Sequence, residues 1–96
     1  MSTKADTPSE AALQDWCASY LVNKLRIRRD RINFDADFAS FGLDSVESVF
    51  MVTAAEDWLG LELGSEAAIE HPSVNAFAAF LMKCLAEKAT GQSGAR

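Results

Sequence analysis

Few side chains here have the means to do chemistry, and the best placed is Ser45. It follows Gly42-Leu43-Asp44 and precedes Val46-Glu47, so one hydroxyl stands where a turn meets an apolar stretch. As a catalytic nucleophile it would need a base, an orienting acid and donors for an oxyanion. The sole histidine, His71, precedes Pro72 where a helix junction is expected, and the GxSxG elbow is absent. Hydrolysis is therefore poorly supplied. As an acceptor for a covalent group Ser45 needs only exposure and tolerant surroundings. A phosphodiester there would meet the unpaired N–H groups and positive dipole end of a helix N-terminus. A third account makes Asp44 or Ser45 an N-cap and nothing more, which suffices for those two residues taken alone.

The remaining reactive groups offer less. Cys17 and Cys84 fall in amphipathic stretches and are expected to be reduced, partly buried small hydrophobes, with a disulfide between the first and last helices as the alternative. With one histidine and no CxxC, no metal site is expected. Charge is uneven. Lys24, Arg26, Arg28, Arg29 and Arg31 cluster together, whereas no Lys or Arg occurs from Ile32 to Glu70, where Asp35, Asp37, Asp44, Glu47, Glu56, Asp57, Glu62, Glu66 and Glu70 lie. Such an acidic middle repels nucleic acid and suits basic protein surfaces, although a solvated face needs no partner. No apolar run approaches the ~18 residues that cross a bilayer, and the polar start resembles no secretion signal, so a cytoplasmic protein with no membrane contact is expected.

The elements that must position these groups are helical, since alanine is abundant, β-branched runs are missing and prolines are confined to positions 8 and 72. Thr7-Pro8-Ser9-Glu10 has the form of a helix start, with Thr7 capping, Pro8 at the first helical position and Glu10 completing a capping box. Leu13, Trp16, Cys17, Tyr20, Leu21 and Leu25 then make an apolar stripe. The basic cluster sits where that helix ends and complements its dipole, a docking patch being the lesser reading. From Asp30 to Leu43 no period holds; Ile32, Phe34, Phe38 and Phe41 are the side chains able to pin such a long loop, with a helical turn near Asp37–Ser40. A second helix begins at Asp44 or Ser45 and ends at Gly60, with Val46, Val49, Phe50, Ala54 and Trp58 expected inward. It is so apolar that part of Phe50, Met51 or Val52 should stay exposed. Gly64-Ser65 opens a short helix over Glu66–Glu70. After His71-Pro72, Ser73 caps a last helix with a stripe of Val74, Phe77, Ala78, Phe80, Leu81, Cys84 and Leu85. The expectation is one all-α domain, a small four-helix bundle of three longer helices and one short one, monomeric, with disordered ends at 1–6 and 90–96.

The run Phe38-Ala-Ser-Phe41-Gly42-Leu43-Asp44-Ser45-Val46-Glu47-Ser48-Val49 resembles the attachment motif of the acyl carrier and peptidyl carrier protein superfamily. The likeness continues through Trp58-Leu59-Gly60-Leu61-Glu62-Leu63 and resumes at His71-Pro72-Ser73-Val74, close to the His-Pro-Thr-Val before the last helix of many such domains. It implies a carrier domain over residues 7–89. A phosphopantetheinyl transferase would move 4′-phosphopantetheine from coenzyme A onto Ser45, with Asp44 helping to place the metal and coenzyme. The terminal thiol would then hold acyl groups as thioesters, and the carrier itself would catalyse nothing.

Its further partners would be an acyl-loading enzyme, either an acyl-AMP ligase or an acyltransferase, and a ketosynthase or other pathway enzymes. Asp44, Val46, Glu47, Phe50 and Met51 would form the docking face, the acids setting orientation and Phe50 and Met51 giving desolvated contact. Phe50 stands where the bacterial fatty-acid carriers commonly have an acid, with Met51 beside it. Gly-Leu-Asp-Ser and His-Pro-Ser lean toward polyketide or nonribosomal-peptide assembly, while Asp57-Trp58-Leu59-Gly60 resembles carriers loaded by fatty acyl-AMP ligases. The competing class is a non-carrier helical interaction module that uses the apolar and acidic face of the second helix.

Overall fold

Ser9 starts the first helix. Its hydroxyl accepts from the N–H of Ala12 at 3.1 Å, and α1 runs Glu10–Leu25. The computed structural model describes residues 8–89. The cap expected at Thr7 therefore moves two residues on, leaving Pro8 ahead of the cap and not inside the helix; Thr7 itself lies outside the described residues, as do the ends expected to be disordered. With Ser9 as the cap, Glu10 lies in the first turn, where an acid meets the positive dipole end. Leu13, Cys17, Ala18 and Leu21 face inward. The helix stops at Arg26, which takes a left-handed conformation (φ 61°) and donates its N–H to the carbonyl of Val22.

The basic cluster beyond α1 is partly tied down within the chain. Arg29 reaches Asp15 at 2.8 Å, Arg28 reaches Asp30 at 2.8 Å, and Lys24 lies 3.9 Å from Glu47. The long loop contains two 3-10 turns, Arg29–Arg31 and Phe38–Phe41, the second close to where a helical turn was expected. Ile32 and Phe38 are buried, and Phe34 and Phe41 pack half-buried on the core, so all four phenylalanine and isoleucine pins are used.

Helix α2 spans Ser45–Leu59, α3 the four residues Ala67–Glu70, and α4 Val74–Ala89. α1 packs on α4 and α2 on α3, around a core that includes Leu13, Leu21, Phe38, Met51, Phe77 and Leu81. The fold is the expected all-α arrangement; among the described residues there is no strand beyond an isolated bridge between Asp37 and Ser73. Both cysteines are free thiols, so the disulfide alternative fails. Cys17 is fully buried, which pushes its thiol up to about 12.

The face of α2 differs from expectation. Ser48, Met51, Val52 and Ala55 point inward, while Val46, Phe50 and Trp58 are 60%, 53% and 42% exposed. Because the helix is apolar nearly all round, its own periodicity does not choose a face; tertiary packing does. The far end of α2 is fixed by two ties. The Glu56 carboxylate accepts from the N–H groups of Leu63 (2.7 Å) and Gly64 (3.3 Å), and Lys88 of α4 donates to the carbonyls of Gly60 (2.8 Å) and Leu59 (3.5 Å).

Candidate functional site

Ser45 is the first residue of α2 and is exposed. Ahead of it Asp44 caps the helix in extended conformation, its Oδ1 accepting from the N–H of Glu47 at 2.9 Å and its carbonyl from Ser48 at 2.9 Å. The N–H groups of Ser45 and Val46 are among those a helix leaves without an intrahelical acceptor, and they lie beside the serine hydroxyl. The site thus couples one reachable hydroxyl to a local preference for negative charge.

A chain of anchors fixes where that hydroxyl stands. Gly42 turns at φ 97°, a conformation that side chains rarely adopt, and donates to the carbonyl of Ala39. Leu43, only 2% exposed, plugs the core, and its N–H reaches the carbonyl of Phe38 at 3.2 Å. Phe38 packs edge-on against Phe77, with ring centroids 6.1 Å apart, and donates its N–H to the carbonyl of Pro72 at 2.6 Å. The distant His71-Pro72-Ser73 segment is therefore part of the apparatus that presents Ser45. Further back, Asn75 ties three elements together. Its N–H bonds the carbonyl of Phe34 at 3.0 Å, its amide donates to Asp35 at 2.6 Å, and its side-chain oxygen accepts from Gln14 of α1 at 2.8 Å.

A groove of about 220 Å³ opens beside Ser45, its walls including Phe38, Leu43, Ser48, Ile69 and Pro72. No histidine lines it; His71 instead stacks on Phe80, with centroids 4.3 Å apart and planes 15° from parallel. Asp44 Oδ1 is engaged in capping. The pieces of a hydrolytic site are not gathered at this serine, whereas an acceptor hydroxyl at a helix start suits an acidic phosphodiester without further machinery.

Of the residues expected around the docking face, Asp44, Val46 and Phe50 are exposed and Glu47 is half-buried. Met51 is a correction: it is 0% exposed and belongs to the core, because the turn of α2 that exposes Phe50 carries its neighbour inward. Glu47 does not complete a reciprocal capping box. Its Oε1 is buried without a hydrogen bond and faces Lys24 instead, while Tyr20 has its phenol pushed up by burial and then by the charge of Glu47. Sequence reasoning missed Asn75, Ser48 and Ile69. Asn75 had a signal, an amide side chain in the first turn of an apolar helix; the other two had none.

The sequence profile for the phosphopantetheine attachment site matches residues 17–81. The chain is 31% identical over 81 residues to the acyl carrier protein TtuC of Teredinibacter turnerae, covering 84% of this chain and 93% of that one. It is also 35% identical over 100 residues to the polyketide synthase ThaG of Burkholderia thailandensis, covering 98% of this chain but spanning 2% of that protein's length. Among solved structures, a free-standing peptidyl carrier protein from an Acinetobacter baumannii secondary metabolic pathway superposes with a TM-score of 0.75 at 27% identity, covering 80% of this chain and 96% of that one. The HMG-ACPI domain of the CurA module from Lyngbya majuscula gives 0.77 at 18% identity, covering 93% of this chain and 90% of that domain, a likeness of fold.

Proposed function

Because the chain belongs to the phosphopantetheine attachment family, and is thus a carrier bearing a covalent 4′-phosphopantetheine and not a catalyst, we propose that Ser45 is the residue that holds the arm. The observation that supports this is the exposed hydroxyl at the start of α2, with Asp44 capping beside it and a first helical turn whose leading N–H groups have no intrahelical acceptor. A phosphopantetheinyl transferase draws the arm from coenzyme A. The oxygen of Ser45 forms the new phosphodiester bond as the pyrophosphate linkage breaks, 3′,5′-ADP leaves, and the serine proton passes to base. Asp44 assists by helping to hold the transferase's metal and coenzyme.

Residues 7–89 form the carrier unit. The thiol at the end of the arm carries acyl groups as thioesters between an acyl-loading enzyme and a ketosynthase or other pathway enzyme. The names of the relatives favour a polyketide-type pathway, and a carrier of this kind is proposed to work in the cytoplasm. The test is mass measurement of the intact chain after incubation with a transferase and coenzyme A. One phosphopantetheine should add to the wild type and none to Ser45→Ala. An arm on Ser45→Ala, or none on the wild type with several transferases tried, would refute the assignment.

A further inference from the structure

One buried hydroxyl stands without a partner in the wall of the groove beside Ser45. Ser48 is 5% exposed, the one polar residue buried among the described residues. Its N–H bonds the carbonyl of Asp44, but its hydroxyl makes no hydrogen bond among the described residues. Other hydroxyls in helical turns do bond. Thr53 donates to the carbonyl of Val49 at 3.1 Å, and Ser40 to that of Asp37 at 2.6 Å. Bending back onto the preceding turn is the ordinary way for such a hydroxyl to be satisfied. A buried hydroxyl that lacks this bond is unfavourable until an acceptor from outside the chain supplies one.

Position identifies that acceptor. Ser45 and Ser48 are three residues apart on α2, so their Cβ atoms are neighbours about 5–6 Å apart. Helical side chains lean toward the N-terminus, which tips Ser48 toward Ser45. Both line the same groove. Of the side chains in its wall, only these two can donate a hydrogen bond. The others are apolar or are the carboxylates of Asp37 and Asp44, which accept only. What satisfies Ser48 is therefore an acceptor placed at Ser45, and a phosphodiester on the Ser45 oxygen fits. Its free oxygens stand two bonds beyond that atom, so one O–H···O bond of about 2.7 Å closes the remaining gap. The leading N–H groups of α2 favour the same charge. Beyond the phosphodiester, pantetheine carries a carbon with two methyl groups, and Phe38, Leu43, Ile69 and Pro72 offer those methyls an apolar wall.

We propose that Ser48 is a positioning residue for the arm: its hydroxyl donates to the phosphodiester on Ser45 and turns the arm into the groove, toward Ile69 and away from Val46. The proposal rests on Ser45 being the acceptor. The full chain and its Ser48→Ala variant test it, each before and after loading by a transferase with coenzyme A, with loading checked by intact mass. Before loading, Ser48→Ala should melt no lower than the wild type, because the hydroxyl it removes has no partner. Loading should then raise the wild-type melting temperature by about 4–8 °C more than that of the variant, the effect of one hydrogen bond in a domain of this size.

Nuclear magnetic resonance reads the contact itself. The phosphorus resonance of the loaded wild type should differ from that of loaded Ser48→Ala. Nuclear Overhauser contacts from the arm's methyl groups should reach Ile69 in the wild type and weaken in the variant. An unloaded Ser48→Ala that melts below the wild type overturns the proposal, because the hydroxyl then already has a partner. Equal gains on loading or coincident phosphorus resonances overturn it too, as do methyl contacts to Val46 in place of Ile69. No arm on the wild type overturns the acceptor assignment as well, whereas an arm on Ser45 with any of these results overturns the role of Ser48 alone.

Discussion

Gly42→Ala separates backbone strain from steric clash at the turn before Ser45. Gly42 has φ 97°, and nothing lies within 4 Å of where a Cβ would project. The added methyl therefore meets no atom, and the cost is conformational. Holding an L-residue in the left-handed region costs about 1–2 kcal/mol. The narrower unfolded ensemble returns about 0.4–1 kcal/mol of that. The net loss is about 1 kcal/mol, or a melting temperature lower by about 4–8 °C in a domain of this size.

Gly64 supplies the control, because it too is at positive φ (90°) with an open Cβ position, but it lies past the far end of α2. Gly64→Ala should melt about as low as Gly42→Ala. Arm addition should distinguish them. Relief of strain at Gly42 shifts a turn three residues from Ser45 and, with Ser45 as the proposed acceptor, should cut kcat/KM about tenfold, while Gly64→Ala loads near the wild-type rate. Thermal melts and initial loading rates measure both quantities. If Gly42→Ala melts with the wild type, the turn is not held at its observed φ. If the two variants lose loading equally, global stability is responsible and the anchoring of Ser45 through Gly42 and Leu43 is wrong.

Asp44→Asn keeps a competent N-cap, so it should melt close to the wild type, whereas Asp44→Ala should lose about 1 kcal/mol. If the carboxylate assists loading, both variants slow in the mass assay; a wild-type rate for Asp44→Asn would exclude that role. Burial raises the Cys17 thiol from 9.0 to about 12, so above pH 9 the unfolded chain loses a proton that the folded chain retains. Stability on this account is intact below pH 9 and falls toward pH 12, by about 1.4 kcal/mol per pH unit at most. Urea melts across that window should show the decline, and Cys17→Val should flatten it; an unchanged slope would show that other groups govern it.

The longer helices were legible because each buries one stripe: Leu13, Cys17 and Leu21 in α1, and Val74, Phe77, Leu81 and Leu85 in α4, stand at helical spacing. The Phe-rich loop was legible for a similar reason, since large rings in a structureless stretch have nowhere to go but the core. α2 misled where α1 did not. Its apolar residues surround the axis, so Val46 and Phe50 looked as fit for the interior as Met51, and only contacts with other elements decide between them. The anchoring of the site was hidden for another reason. The Pro72 carbonyl that holds Phe38 is a backbone group, and every residue has one, so no side-chain pattern announces it. Thr7 and Ser9 are equally good caps by type, and the choice between them rests on where the chain first meets the core.

The Lys88 tie sets a limit on how this carrier can be moved. The stretch matching the attachment-site profile stops at residue 81, yet the ammonium that holds the carbonyls of Leu59 and Gly60 comes from further along α4. A graft trimmed to the matched stretch would also begin inside α1 and leave Ser9 behind. Such a cassette would keep Ser45 and its motif but lose the clasp on the opposite end of α2 and the first turns of α1. Boundaries for transplanting the domain into another assembly are therefore drawn by these two polar contacts, with the junctions placed before Ser9 and after Lys88.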